Sequence, residues 1–167
     1  MIYGIALTPH RPNDIVVWLI PPFCDSGDLP SGVHQATWEE FVARFGGSAY
    51  RRRLLGGLKR AIDSLKLAGC TTVYVDGSFV TDKPVPGDFD ACWEVQGVNI
   101  DLLVALDPVL LKLDDGRAAQ KAKFYGELFP AGVVEAETGL SFLDFFQVSK
   151  ETGEAKGIVA IDITVIR

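Results

Sequence analysis

Two runs rich in β-branched and apolar residues, "TTVYVD" (71–76) and "DFDACWEV" (88–95), flank a loop that holds Gly77, Pro84, Pro86 and Gly87. Such a segment reads as two neighbouring strands, because β-branched side chains suit a pleated sheet and proline and glycine interrupt it between them. Side chains alternate along 88–94, so Asp88, Asp90, Cys92 and Glu94 share one face while Phe89, Ala91 and Trp93 share the other. The apolar face packs. The acidic face sets two carboxylates roughly 7 Å apart, close enough for each to oppose the other's ionisation. A divalent cation removes that cost, and Mg2+ takes carboxylate oxygens, usually one or two of them together with substrate phosphates. Gly77-Ser78 closes the first run at the point where the chain turns. Glycine permits close backbone approach to a ligand, the free N–H groups of such a turn suit phosphate oxygens, and the Ser78 hydroxyl can bind a phosphate or a metal.

The 167 residues are 48% hydrophobic, enough for one domain with its own core. We read residues 1–167 as a single domain, with 1–48 a strand, loop and helix extension and 49–167 the core. A formal charge of −6 argues against nucleic acid as a non-specific ligand. No apolar run approaches the roughly 20 residues that span a bilayer, and "MIYGIAL" lacks the charged start of a signal peptide, so a cytoplasmic protein without a membrane partner is expected. Cys24, Cys70 and Cys92 are far apart and never in C-x-x-C spacing, which reads as reduced thiols and not as a disulfide frame or zinc site. Only His10 and His34 could serve a hydrolytic triad, and neither sits in a nucleophile-elbow context. A ring N–H bonded to a backbone carbonyl satisfies His34 as well as any ligand role.

Along the chain, "DIVVWLI" (14–20) reads as a buried strand and "SGDLPSGVHQAT" as a loop. Thr37 and Glu40 have capping-box spacing and open a helix to about Arg44. Leu54, Leu55, Leu58, Ile62 and Leu65 mark a second helix from Tyr50 to Ala68, capped by Gly69. Beyond the acidic strand, "NIDLLVAL", "PVLLKL" and "GRAAQKAKFYG" read as helical, "GVVEAE" and "FLDFFQV" as strand or mixed, and "GIVAIDITVI" as strand. The order predicts an α+β fold, a mixed β-sheet with helices packed mainly on one face.

A strand ending in Gly77-Ser78, nine intervening residues and then Asp88-x-Asp90 on the next strand resembles the DNA polymerase β-like nucleotidyltransferase superfamily, the small bacterial minimal members above all. The stretches "LPSGVHQATWEEF", "DGSFVT", "PGDFD", "FLDFF" and "KGIVAI" are also similar to an uncharacterised family of small bacterial proteins built on this motif. The superfamily resemblance implies a nucleotidyltransferase-like fold with Asp88 and Asp90 as catalytic metal ligands, Gly77 and Ser78 as triphosphate contacts, and two Mg2+ ions bound with the nucleotide. The implied reaction moves a nucleoside monophosphate from a nucleoside triphosphate to a hydroxyl of a protein, RNA or small molecule, in a setting that admits a protein partner of the toxin–antitoxin type. The alternative is a catalytically silent module of the same fold that binds a nucleotide or a protein. The superfamily usually adds a third carboxylate on a neighbouring strand. Glu135 is the first choice for that catalytic and metal-binding role, Asp162 follows, and Asp101 comes too soon after Asp90. This chain departs from the pattern in having Asp76 before the glycine and only Lys83 as a cation in the loop, so helix residues such as Arg51–Arg53 are expected to help meet phosphate charge.

Overall fold

A computed structural model describes residues 20–166, and the strand expected over 14–20 lies outside them except for its last residue. Thr37 caps the first helix, α1 (Trp38–Phe45): its hydroxyl accepts from the Glu40 N–H while the Glu40 carboxylate accepts from the Thr37 N–H. Ser48 caps α2 (Ala49–Leu67), whose inward face carries Leu54, Leu55, Leu58, Ala61, Ile62 and Leu65. The helix closes in a Schellman arrangement, with Cys70 N–H on Leu65 O, Gly69 N–H on Lys66 O and Gly69 at φ +99°.

Five strands make one mixed sheet: β1 (Gly32–Ala36), β2 (Thr72–Asp76), β3 (Phe89–Trp93), β4 (Gly126–Pro130) and β5 (Gly157–Asp162). Their spatial order is β1-β5-β2-β3-β4, with β2 antiparallel to both β3 and β5, and β1–β5 and β3–β4 parallel. The parallel step from β3 to β4 is bridged by α3 (Ile100–Leu106), a single-turn helix at Pro108–Leu111, and α4 (Ala118–Phe124). Helices α1 to α4 bury Phe41, Phe45, Leu58, Ile62, Leu103 and Phe124 with Val73, Val75, Phe89, Ala91, Trp93, Leu128, Val159 and Ile161 of one sheet face. Each fully buried Leu, Ile or Phe of this layer contributes ~1.5–3 kcal/mol. The opposite face is covered by the excursion from Ala131 to Lys156 with its short helix α5 (Phe142–Phe145), which lays Phe142, Phe145 and Phe146 over Cys92, Phe129 and Ile158.

The α+β class, the mixed sheet and the helices on one face agree with the sequence reading. Several segments differ. Strand β1 lies in a stretch read as loop, and β4 was not foreseen. "GVVEAE" is a turn with one isolated bridge, Val134 to Ser141, and "FLDFFQV" opens as a helix. Among the described residues no helix is long and apolar enough to cross a membrane.

Candidate functional site

The register of the sheet brings three carboxylates into one row. Asp76 on β2 pairs with Asp90 on β3, and Asp90 pairs with Glu127 on β4, all on the face away from the main helices. Directly after Asp76 the chain turns at Gly77, which has φ +77°. A Cβ built there would stand 2.4 Å from Asp90 Oδ2, so glycine is required twice over: for its left-handed backbone and for the close approach of the carboxylate. A single helical turn, Ser78–Val80, follows, anchored by buried Phe79 and Val80. Phe79 packs on Phe41 and Phe45 with ring centroids 5.9 and 6.1 Å apart, so it belongs to the core.

Arg51 organises the rim that comes next. Its guanidinium is buried and donates to Phe79 O at 2.8 Å, to Lys83 O at 2.6 Å and to Thr81 O at 3.3 Å. Asp82 N–H reaches Gly27 O, which ties the 24–28 turn to the same rim. Between rim, β2, β3 and the 149–156 segment opens a cleft of about 400 Å³. Ser78, Lys83 and Asp90 line it together with Lys150 and Lys156.

Charge is distributed unevenly along the carboxylate row. Lys156 Nζ lies 2.8 and 3.0 Å from the two oxygens of Asp76, in a pair with both side chains largely buried. Burial still holds the Asp76 pKa above its ordinary value, against the pull of Lys156. At the other end Glu127 meets Arg117 at 3.1 Å and Lys121 at 2.5 Å. Asp90, in the middle, has neither ion pair nor hydrogen bond to its carboxylate among the described residues. Burial first, then the charges of Asp88, Asp76 and Glu127, push its pKa up from 3.8 to about 6.

Of the residues singled out from the sequence, Gly77, Ser78, Lys83 and Asp90 converge on the cleft. Asp88 lines an adjoining cleft of about 290 Å³ between α2 and α4, with Tyr50, Arg53, Lys121 and Tyr125. Glu135 is not brought to them. It lies half-exposed in the turn after β4, and its carboxylate accepts from the N–H groups of Glu137 and Thr138, which also draw its pKa down. Asp162, at the end of β5, bonds the N–H and hydroxyl of Thr164, and Asp101 sits in the exposed first turn of α3. The acidic residue that the neighbouring strand sets beside Asp90 is Glu127, which the sequence reading passed over. Its one local signal was an acidic residue held between Gly126 and Leu128 directly after a helix. Lys150 and Lys156 were likewise missed. Of the helix arginines, Arg51 serves the rim, Arg52 donates to Gly46 O, and Arg53 faces the second cleft.

Among the described residues no three His, Cys, Asp or Glu side chains converge tightly enough to hold a metal ion by themselves. The oxygen donors present still fit Mg2+, which needs one or two carboxylates and completes its shell from water and phosphate. Asp90, beside three other carboxylates and with no cation within ion-pair distance among the described residues, would gain from a bound cation. Cys70 and Cys92 are buried, and burial pushes both thiols up, which makes them poor nucleophiles, while Cys24 is exposed. His34 donates its Nε2–H to Pro30 O at 2.7 Å and is thereby satisfied.

No curated protein and no solved structure matches the chain. Residues 21–162 match the model described as "Family of unknown function (DUF6932)", and the chain belongs to that family.

Proposed function

We propose that the cleft beside Gly77-Ser78 binds the polyphosphate of a nucleoside triphosphate together with Mg2+, and that the protein transfers the nucleotidyl group to an acceptor hydroxyl. The observation that carries this reading is the close approach of Asp90 to the Gly77 turn: a phosphate-suited turn and an uncompensated carboxylate share one wall. In this reading the sheet is a nucleotidyltransferase-like core, and Glu127 takes the third acidic position in place of Glu135. Asp88 and Asp90 would hold Mg2+, which when bound offsets phosphoryl charge and makes the acceptor oxygen more nucleophilic. The N–H groups of the turn and the Ser78 hydroxyl offer phosphate oxygens donors, and Lys83, Lys150 and Lys156 oppose their charge. Asp90 is an available ligand only once deprotonated, so metal affinity should rise as pH passes about 6.

One feature favours a silent binding module of the same shape: Glu127 is already held by two cations, which leaves two carboxylates for metal instead of three. Transfer of label from α-labelled ATP or GTP separates the two readings. The enzyme loses transfer in Asp88→Asn and Asp90→Asn while those proteins stay folded; transfer at the wild-type level in both variants sinks the catalytic assignment. A silent module shows thermal stabilisation by nucleotide with no transfer in any form of the protein.

A further inference from the structure

We propose that the second cleft, between α2 and α4, is the acceptor site and that its ligand is a sugar phosphate, held by its phosphate on Arg53 and Lys121 with a hydroxyl towards Asp88. This rests on the nucleotidyl-transfer reading for its chemistry, though not for its binding. A single residue separates Asp88, just before β3, from Asp90 within it, yet Asp90 lines the polar cleft and Asp88 the other. The carboxylate pair therefore stands at the junction of two cavities of different character. One is lined by lysines, serines and acids; the other has aromatic walls, Tyr50 and Tyr125, and two cations, Arg53 and Lys121, of which Lys121 also pairs with Glu127 at 2.5 Å.

These walls are built, not incidental. Tyr125 ends α4 in the left-handed region at φ +64°, a strain that a bulky side chain seldom carries and that aims its ring at α2. The approach of α4 to α2 depends on Gly57, where a Cβ would stand 1.7 Å from Phe124 O. The Arg53 guanidinium lies over the Tyr125 ring at 4.6 Å from its centroid, and Arg60 at 5.4 Å, with Arg60 also donating to Lys123 O at 2.7 Å. Arg53 has no carboxylate or carbonyl partner among the described residues. A guanidinium over a ring, with no other partner, keeps N–H groups free for a planar or tetrahedral oxyanion. On the far side the Tyr50 hydroxyl donates to Gly87 O at 3.0 Å, fixing the residue before Asp88. About 290 Å³ suits one sugar with its phosphate, its C–H face against tyrosine and its phosphate on the cations. In the transfer the acceptor oxygen bonds to the α-phosphorus, the bond from that phosphorus to the bridging oxygen breaks, pyrophosphate leaves with that electron pair, and the hydroxyl proton passes to water.

Calorimetric titration with ribose 5-phosphate, without metal or nucleotide, tests the site, with amide spectra locating the contact. Saturable binding that shifts Arg53, Asp88 and Tyr125 is expected, weakened roughly tenfold or more in Arg53→Gln because a charged hydrogen-bond donor is lost. Lys59→Gln, the same charge change elsewhere on α2, should bind as wild type. Lys121→Gln at an exposed position gives a second weakened variant should Arg53→Gln fail to fold. Wild-type affinity in the Arg53 and Lys121 variants, no binding at millimolar ligand, or shifts confined to Lys83, Lys150 and Lys156 would each overturn the proposal. Binding of Mg2+ with ATP is measured in parallel: its failure beside intact ribose 5-phosphate binding strikes the transfer reading and leaves the pocket standing.

Discussion

The two faces of the sheet are made from the same five strands and do opposite things. The helix-covered face is apolar across β5, β2, β3 and β4, with Val73, Val75, Phe89, Ala91, Trp93, Leu128, Val159 and Ile161 all buried. The other face is apolar along β5 at Ile158 and Ala160 and in the row Tyr74–Cys92–Phe129, and one row further along β2, β3 and β4 it turns acidic at Asp76–Asp90–Glu127. Both rows are two residues apart on the same strands, so the change from core to cleft occurs within about 7 Å. Stability is concentrated on one side. On the other side the fold tolerates an arrangement of like charges that costs stability.

Lys156→Met should be the most damaging single change on the acidic side. It leaves Asp76 buried without a partner, at a cost of ~3–5 kcal/mol at neutral pH. Asp76 already has a raised pKa and would rise further, so the deficit against wild type must shrink as pH falls and Asp76 protonates; a deficit independent of pH would show that the lysine acts by packing alone. On the helix side, Leu58→Ala should cost ~2–5 kcal/mol by leaving a cavity at a fully buried site, read as a lower denaturation midpoint with an unchanged slope. That loss should not depend on pH, in contrast to the first.

Asp90→Asn should do the reverse and stabilise. Folded Asp90 binds its proton more tightly than the unfolded chain does, about 6 against 3.8, so wild-type stability falls as pH rises through that window and the loss is complete above it. The variant escapes this loss, gaining on the order of 1–3 kcal/mol above pH 6 and nothing near pH 4. Millimolar Mg2+ should raise the wild-type melting temperature above pH 6 and close the gap to the variant. An Asp90→Asn protein less stable than wild type at pH 8 would erase the contrast between the faces. Glu135→Gln should be smallest of all, with melting, Mg2+ response and nucleotide binding unchanged; a lost Mg2+ response there would return Glu135 to the site.

The sequence was most legible where local chemistry decides. Thr37 with Glu40 and the i, i+3, i+4 spacing of α2 specify helices without help, and the Gly77 turn between two β-branched runs specifies neighbouring strands. It was least legible where tertiary pairing decides. "GVHQA" has too little apolar character to announce β1, and its Val33 is 40% exposed because β1 is an edge strand. "GELFP" hides β4 between a glycine and a proline, tolerable because β4 is the opposite edge. "GVVEA" has the composition of a strand, but Glu135 closes a turn with Thr138 and Gly139, the latter at φ +73°. The partnership of Asp90 with Glu127 is a matter of register, which no pattern within either segment encodes.

Arg51 has a thermodynamic consequence for any ligand of the polar cleft. Its guanidinium fastens three carbonyls of the rim, at Phe79, Thr81 and Lys83, from the first turn of the longest described helix. The backbone entropy of that rim is therefore surrendered when the chain folds, and a ligand arriving later finds donors already in position. Binding should show only a small ordering penalty, and loosening the arginine should weaken affinity through entropy while every group that touches the ligand is still present.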